Sequence, residues 1–163
     1  MFMKKGLLTL AAATCLFGLA SCSGAPSTDG FDPNEEEFEK KDLTLALVGD
    51  FKAEGLPTWN PADSQDTEAL KLHKDETRDG IYTVTIDIAT GASFKVIAGR
   101  AWGAPDYGYG KVDTEKSTAA KIKDDGGNIG IVEGGKMTLD FYEYPFLNSD
   151  KINPAKAIII TIE

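Results

Sequence analysis

Histidine, cysteine and positive charge are all scarce in this sequence. The 163 residues include one His, two Cys and 17 Lys plus Arg against 26 Asp plus Glu, so the formal net charge is −9. One imidazole cannot form a two-His metal motif, and so few cysteines do not form a zinc site. Phosphate binding needs a basic field that this charge balance lacks. These shortages exclude nucleic-acid binding and metal centres built from His and Cys, and the length is that of about one domain.

Catalytic signatures are also missing. His73 lies in the alternating stretch Leu70-Lys71-Leu72-His73 and is expected to point to solvent. No G-x-S-x-G nucleophile elbow and no glycine-rich phosphate loop opening a helix occurs. Residues 124–128 could offer oxygens to calcium but lack the spaced acids of a calcium loop, which favours a plain turn. We expect a protein without cofactor or metal that is not an enzyme, although the many acids leave a carboxylate-pair glycosidase open.

The apolar run that is present, residues 6–19, is too short to span a bilayer and follows two lysines. It ends in residues 19–22 (Leu-Ala-Ser-Cys), which resemble the lipobox of bacterial lipoproteins. We expect residues 1–21 to be a signal peptide and Cys22 to be acylated, with an ordinary secretory signal as the alternative. Cys15 would leave with the signal, so the mature chain has no free thiol and no internal disulfide.

Residues 22–42 are polar and carry the acidic run 35–37, which is typical of a solvated, self-repelling linker. A short helix over residues 33–41 is the alternative, because Pro suits a helix start and acids suit its first turn. In either case the segment is a lipidated tether, and residues 43–163 form the folded module.

Strand patterns dominate from residue 43 onward. The stretch Ile81–Ile88 alternates, with Tyr82, Val84, Ile86 and Ile88 on one face, and glycine turns flank it. Similar stretches occur at residues 43–48, 70–73, 92–98, 129–131, 137–142 and 157–162. About seven short strands with Gly-rich turns and no convincing helix predict an all-β, antiparallel β-sandwich.

Two tryptophans stand outside the strands, in loop-like sequence. Trp59 lies between Pro57 and Pro61, and Trp102 lies in the glycine-rich residues 99–110. A sandwich core is filled from its strands, so these rings are candidates for an exposed binding platform. The alternative is that one of them plugs an end of the sandwich. Sugar rings suit such a platform, because their C–H faces are weakly apolar and their rims carry hydroxyls.

The order of short motifs over residues 43–112 resembles the starch-binding modules of SusE/SusF-like outer-membrane lipoproteins of the starch-utilisation system, and related modules of pullulanase-type amylases. The motifs that carry the resemblance are Val48-Gly49-Asp50, Trp59-Asn60-Pro61, Gly80-Ile81-Tyr82, Phe94-Lys95-Val96, Trp102 and Asp106-Tyr107-Gly108. The resemblance implies an immunoglobulin-like sandwich that binds α-glucan.

The same resemblance implies a set of ligand-binding residues. It assigns stacking to Trp59 and Trp102, and hydrogen bonding to Lys95 and Asp106, with Tyr107 nearby. Proximity adds two further candidates, Arg100 and Tyr109.

The resulting hypothesis is a non-catalytic carbohydrate-binding lipoprotein. It would sit lipid-anchored at the outer membrane, on the cell surface in one version, and hold starch-like polysaccharide near an uptake complex. The alternatives are a structural or protein-binding envelope lipoprotein with no sugar site, and a small hydrolase.

Overall fold

The computed structural model describes residues 43–163. The expected signal peptide, the acylated Cys22, the tether and its alternative short helix lie outside the described residues. Between residues 43 and 163 no helix is long and apolar enough to cross a membrane.

The described chain is built almost wholly from short strands. It contains one α-helix, α1 (Pro61–Asp66), and four single 3-10 turns. The strands are β1 (Leu45–Asp50), β2 (Lys71–Lys74), β3 (Ile81–Ile88), β4 (Ser93–Ile97), β5 (Asp106–Tyr107), β6 (Ile122–Asp125), β7 (Asn128–Ile131), β8 (Gly135–Tyr142) and β9 (Ile158–Ile162).

All strand pairs are antiparallel, in the order β6-β7-β4-β1-β2-β3-β8-β9, and β5 pairs with β4. β2 links two halves of this sheet: Leu72 pairs with Leu45 of β1, and His73 pairs with Thr83 of β3. We call β1, β4, β5, β6 and β7 the first half, and β3, β8 and β9 the second half.

The two halves face each other across one core. Phe94 of β4 and Ile129 of β7 belong to the same buried cluster as Leu139 of β8 and Ile160 of β9. Tyr107 of the first half also contacts Phe141 of the second half, ring edge to ring face. The predicted all-β, antiparallel sandwich is confirmed, and it has two more short strands, β5 and β6, than the sequence showed.

β3 follows its predicted alternation except at its first residue. Tyr82, Val84 and Ile88 are in the core, while Asp87 is exposed. Ile81 was expected to face outward with Asp87, yet it is buried. The reason is the excursion between β8 and β9, residues 143–157, which brings Ile152 onto Ile81 on the outer face of the second half.

Polar side chains also follow the sequence expectation. His73 is exposed, as predicted. Residues 124–128 form the tight turn between β6 and β7, with Gly126 and Gly127 at φ of 64° and 88°. The carboxylate of Asp124 accepts a hydrogen bond of 2.7 Å from the Gly127 N–H and closes this turn. The prediction of a turn at these residues is confirmed.

The outer edge of β9 is covered by residues 111–118. The N–H groups of Asp113 and Thr118 donate to the carbonyls of Ile158 and Ile160 at 2.8 Å each. The Asp113 side chain is buried, and its carboxylate accepts backbone N–H bonds, one of them from Asn153 at 2.8 Å. An exposed strand edge is a site of unwanted pairing, so this segment protects the sheet from self-association.

Candidate functional site

The first half of the sheet is covered on its outer face near α1. Leu45 and Leu47 of β1 point into the core, so Ala46 and Val48 point outward, and both are fully buried. The covering element is the connection between β1 and β2, because α1 contacts β1 and its Ser64 is itself fully buried. This connection carries the first tryptophan.

Trp59 is held in an unusual backbone conformation directly before α1. Its φ is +48°, a left-handed value that is unfavourable by ~1–2 kcal/mol for a residue with a Cβ. Its N–H donates to the carbonyl of Gly49 at 3.0 Å, on the β1 edge that β2 leaves unpaired. The next residue, Asn60, caps α1 by accepting hydrogen bonds from the N–H groups of Ala62 and Asp63. Trp59 is therefore fixed between a strand edge and a helix start.

Trp102 lies at the tip of the β4–β5 hairpin. The Ala98 N–H donates to the Pro105 carbonyl at 2.8 Å, and the Ala104 N–H donates to the Ala101 carbonyl at 3.2 Å. These bonds close the loop on itself. The Trp102 side chain is 53% exposed, the largest aromatic surface that the described residues present to solvent.

The structure brings the two tryptophans together. Their ring centroids are 6.4 Å apart and their planes are inclined by 34°. This separation is within the range in which aromatic rings contact each other. Trp59 is half-buried and Trp102 is exposed, and we call this pair of contacting rings the tryptophan platform.

Two residues of α1 tie the Trp102 loop to the rest of the site. The side-chain amide of Gln65 donates to the carbonyls of Thr44, Ile97 and Gly99 at 3.0, 3.4 and 3.3 Å. The carboxylate of Asp66 accepts two hydrogen bonds, at 2.7 and 2.6 Å, from the Arg100 guanidinium.

The Asp66–Arg100 pair shifts the pKa values of both of its groups. The hydrogen bonds from Arg100 lower the pKa of Asp66 below its ordinary value, and the pKa of Arg100 is raised in turn. The guanidinium is thus engaged within the protein.

A second polar pair lies on the outer face of β4. The Lys95 ammonium donates to the Asp106 carboxylate at 3.0 Å, with side chains that are 26% and 38% exposed. Lys95 pairs across the sheet with Val48, the neighbour of Gly49, and Gly49 accepts the Trp59 N–H. Neighbouring strands lie ~4.8 Å apart, so Lys95 on β4 is one strand spacing from β1 and Asp106 on β5 is about two.

The two tyrosines are turned toward the protein interior. The Tyr107 ring packs against Phe141 at a centroid distance of 4.8 Å and an angle of 70°. Tyr109 is half-buried against the same core cluster. Of the seven predicted residues, Trp59 and Trp102 contact each other, Lys95 and Asp106 contact each other, and Arg100 contacts Asp66.

Sequence reasoning missed the contribution of α1. Gln65 and Asp66 were not predicted, and Asn60 entered only through the Trp59-Asn60-Pro61 motif, because six residues are too few for a 3.6-residue apolar period. One signal was available. Asn followed by Pro is the pattern of an N-cap and a first helical residue, and it occurs at Asn60-Pro61.

Among residues 43–163 no group of three His, Cys, Asp or Glu side chains could hold a metal ion. The predicted residues of this region form two separate contacts, the Trp59–Trp102 ring pair and the Lys95–Asp106 ion pair on the outer face of β4.

Comparison with known proteins gives two partial structural likenesses. No family model and no curated protein matches the chain. SusF from Bacteroides thetaiotaomicron is similar over 74% of this chain and 24% of its own, with 18% identity and a TM-score of 0.48. A pullulanase from Bacillus acidopullulyticus is similar over 83% of this chain and 14% of its own, with 17% identity and a TM-score of 0.44. The chain therefore spans a quarter or less of either protein.

Proposed function

We propose that this protein is a non-catalytic carbohydrate-binding module whose ligand stacks on the tryptophan platform. The observation that carries the proposal is the contact between Trp59 and Trp102 at an exposed edge of the sandwich. A sugar that covers roughly 50 Å² of each ring gains about 1 kcal/mol per ring at ~25 cal/mol per Å². The platform then provides the apolar share of the binding free energy.

Lys95 and Asp106 supply the polar share. The ammonium donates hydrogen bonds and the carboxylate accepts them, so together they match the donor and acceptor character of sugar hydroxyls. With ~1 kcal/mol for each net hydrogen bond, the total is about 4–6 kcal/mol, which is millimolar to tens of micromolar affinity. Tyr107 and Tyr109 contribute indirectly. Their rings pack against the core and so hold β5 and the residues after it, next to Asp106, in place.

We further propose that the ligand is a starch-like α-glucan. The support is the sequence resemblance, whose motifs include both tryptophans together with Lys95 and Asp106. A neutral polysaccharide also needs no complementary field, which suits an acidic chain. The same resemblance and the expected acylation of Cys22 support a place at the bacterial outer membrane, beside an uptake complex. Many anchored copies on one polymer would compensate for weak single sites.

Native affinity electrophoresis tests the proposal. Wild type should be retarded in gels that contain amylopectin, and less so with dextran or a β-glucan. Trp102→Ala should abolish retardation and lower the melting temperature by no more than a few degrees, because the residue is 53% exposed and loses the ring contact with Trp59. Val132→Ala is the control. Val132 is an exposed apolar residue that is remote in sequence from Trp59 and Trp102, so this variant should bind glycan as wild type does. No retardation on any glycan would overturn the proposal, and release of reducing sugar would contradict the non-catalytic part.

A second candidate is a protein-binding envelope lipoprotein that has kept the sandwich without a sugar site. The observation in its favour is that Arg100 and Lys95 are both engaged in intramolecular ion pairs. Recovery of one stable partner from envelope extracts, combined with no glycan binding, would favour this candidate.

A further inference from the structure

We propose that α1 is the positioning element of the tryptophan platform, and that Asp66 and Arg100 act on ligand binding only by holding the Trp102 loop beside Trp59. The effect on glycan binding rests on the proposed function. The effect on the relative position of the two indole rings rests on the structure alone. It changes the role of Arg100 from a ligand contact to a positioning residue.

The first support is the placement of α1 between the two tryptophans. Trp59 immediately precedes Asn60, the N-cap, and Asp66 is the last helical residue. A six-residue helix is ~9 Å long, so its two ends are separated by a fixed, short distance. One rigid element therefore holds Trp59 at its start and the Trp102 loop, through Arg100, at its end.

The second support is how the Trp102 loop is bonded. Its own backbone bonds, from Ala98 to Pro105 and from Ala104 to Ala101, close the loop on itself rather than onto Trp59 or α1. Side-chain links to α1 run from Gln65 to Gly99 and between Asp66 and Arg100. These two links connect the closed loop to α1, in addition to its β4–β5 base and its ring contact with Trp59.

The third support is the geometry of each link. Gln65 is buried, and its amide donates to the carbonyls of Thr44, which precedes β1, of Ile97 at the end of β4, and of Gly99 in the loop. Asp66 and Arg100 form a two-pronged pair, which fixes an orientation as well as a distance. Arg100 is two residues from Trp102, so the pair holds the loop backbone close to the tryptophan.

Because Asp66 and Arg100 are exposed, their effect on the position of the Trp102 loop can be measured separately from their effect on the stability of the fold. Asp66 and Arg100 are both exposed, and exposed ion pairs contribute little to the free energy of unfolding. Breaking the pair should therefore leave the fold intact while the Trp102 loop loses its fixed orientation. A merely structural ion pair would have no effect on the tryptophans or on glycan binding.

The geometric readout is circular dichroism from coupling between the two indoles. Rings at 6.4 Å should give an exciton couplet in wild type that disappears in Trp59→Phe and in Trp102→Phe. Asp66→Asn and Arg100→Gln should each reduce the couplet by about half and weaken amylopectin binding by up to roughly fivefold. Their melting temperatures should stay within about 2 °C of wild type.

The controls use matched charges. Glu133→Gln removes an exposed carboxylate from an ion pair with Lys121 that is remote in sequence from α1 and the loop, and it should change neither readout. The exchanged pair, Asp66→Arg with Arg100→Asp, should restore part of the couplet. A wild type without a couplet, or single variants that keep the wild-type couplet, would overturn the inference. The couplet does not need a ligand, so a failure of glycan binding alone is distinguishable as a failure of the proposed function.

Discussion

The N–H of Trp59 donates a hydrogen bond of 3.0 Å to the carbonyl of Gly49, so the first ring of the platform is attached directly to the edge of β1. Gly49 in turn pairs with Phe94 of β4, whose ring is fully buried. The position of the platform is therefore set by how closely β1 approaches β4. Gly49 permits this approach because it has no side chain.

Replacing Gly49 with Ala should separate these strands. A Cβ at this position would lie 2.2 Å from the Ser93 carbonyl oxygen and 2.5 Å from the Phe94 Cα, and these backbone atoms cannot move aside cheaply. We expect a loss of more than ~2 kcal/mol in the free energy of unfolding, measured in urea. Gly110→Ala is the matched control, because nothing lies within 4 Å of its Cβ position, and it should be neutral. Equal stability of the two variants would contradict this account.

The backbone of Trp59 allows a test that separates strain from binding. Asn tolerates the left-handed region that Trp59 occupies at φ +48°, whereas β-branched Val does not. Trp59→Asn and Trp59→Val both remove the ring, so both should abolish glycan retardation. The Asn variant should nevertheless be more stable by ~1 kcal/mol in urea unfolding. Equal stabilities would show that the chain relaxes out of this conformation at no cost.

Most strands were predictable because their side chains alternate. Ile81–Ile88 was placed as β3 with its true bounds, and the faces followed apart from Ile81. β5 was missed because it has two residues, and β6 (Ile122–Asp125) because three of its four side chains are exposed. A strand that buries few side chains shows no alternation of apolar and polar residues in its sequence, so it cannot be recognised from that pattern.

The sequence predicted candidate site residues, but it did not predict which of them contact each other. Trp59 and Trp102 could be assigned to loops from their Pro and Gly neighbours. Their contact depends on β1 pairing with β4 and on the Asp66–Arg100 link, and sequence spacing encodes neither of these long-range relationships.

The excursion between β8 and β9 should be part of the folded core. Ile152 is fully buried and covers Ile81 and Tyr142, and the burial of Tyr142 raises the pKa of its hydroxyl. Ile152→Ala should destabilise the protein by ~2–4 kcal/mol in urea unfolding, because it leaves a cavity. Leu147→Ala, in the same excursion but 56% exposed, should change stability by less than ~0.5 kcal/mol. A neutral Ile152→Ala would show that the excursion packs only loosely.

Acid stability should depend on the turn between β2 and β3. The Asp75 carboxylate accepts hydrogen bonds from Thr77 and Arg78, and these hold its pKa well below the ordinary value. Arg78 also bonds Asp140 on β8, which raises the pKa of Arg78.

A carboxyl group whose folded pKa is depressed stabilises the fold fully above its unfolded pKa, near 3.9, and loses this contribution as the pH falls. Wild type should therefore lose stability steeply below about pH 4. Asp75→Asn should be less stable at neutral pH but flatter toward acid. Asp87→Asn, on the exposed face of β3, serves as the control and should keep the wild-type profile. Parallel profiles for Asp75→Asn and wild type would contradict the prediction.

The Lys95–Asp106 pair gives the sharpest test of how the proposed ligand is held. In the free protein the ammonium and the carboxylate satisfy each other at 3.0 Å, so a sugar hydroxyl must compete with this contact. Asp106→Asn removes the charge and supplies a donor as well as an acceptor, which frees Lys95 for the ligand. Affinity for maltoheptaose by calorimetry should be kept or improved in Asp106→Asn.

Lys95→Met keeps the apolar stem but removes all three donors, so its affinity should fall by roughly five- to tenfold. Salt should strengthen binding to wild type slightly, because it weakens the competing ion pair, and should leave Asp106→Asn unchanged. If Lys95→Met binds as wild type does, Lys95 does not contact the ligand, and this account of the ion pair is wrong.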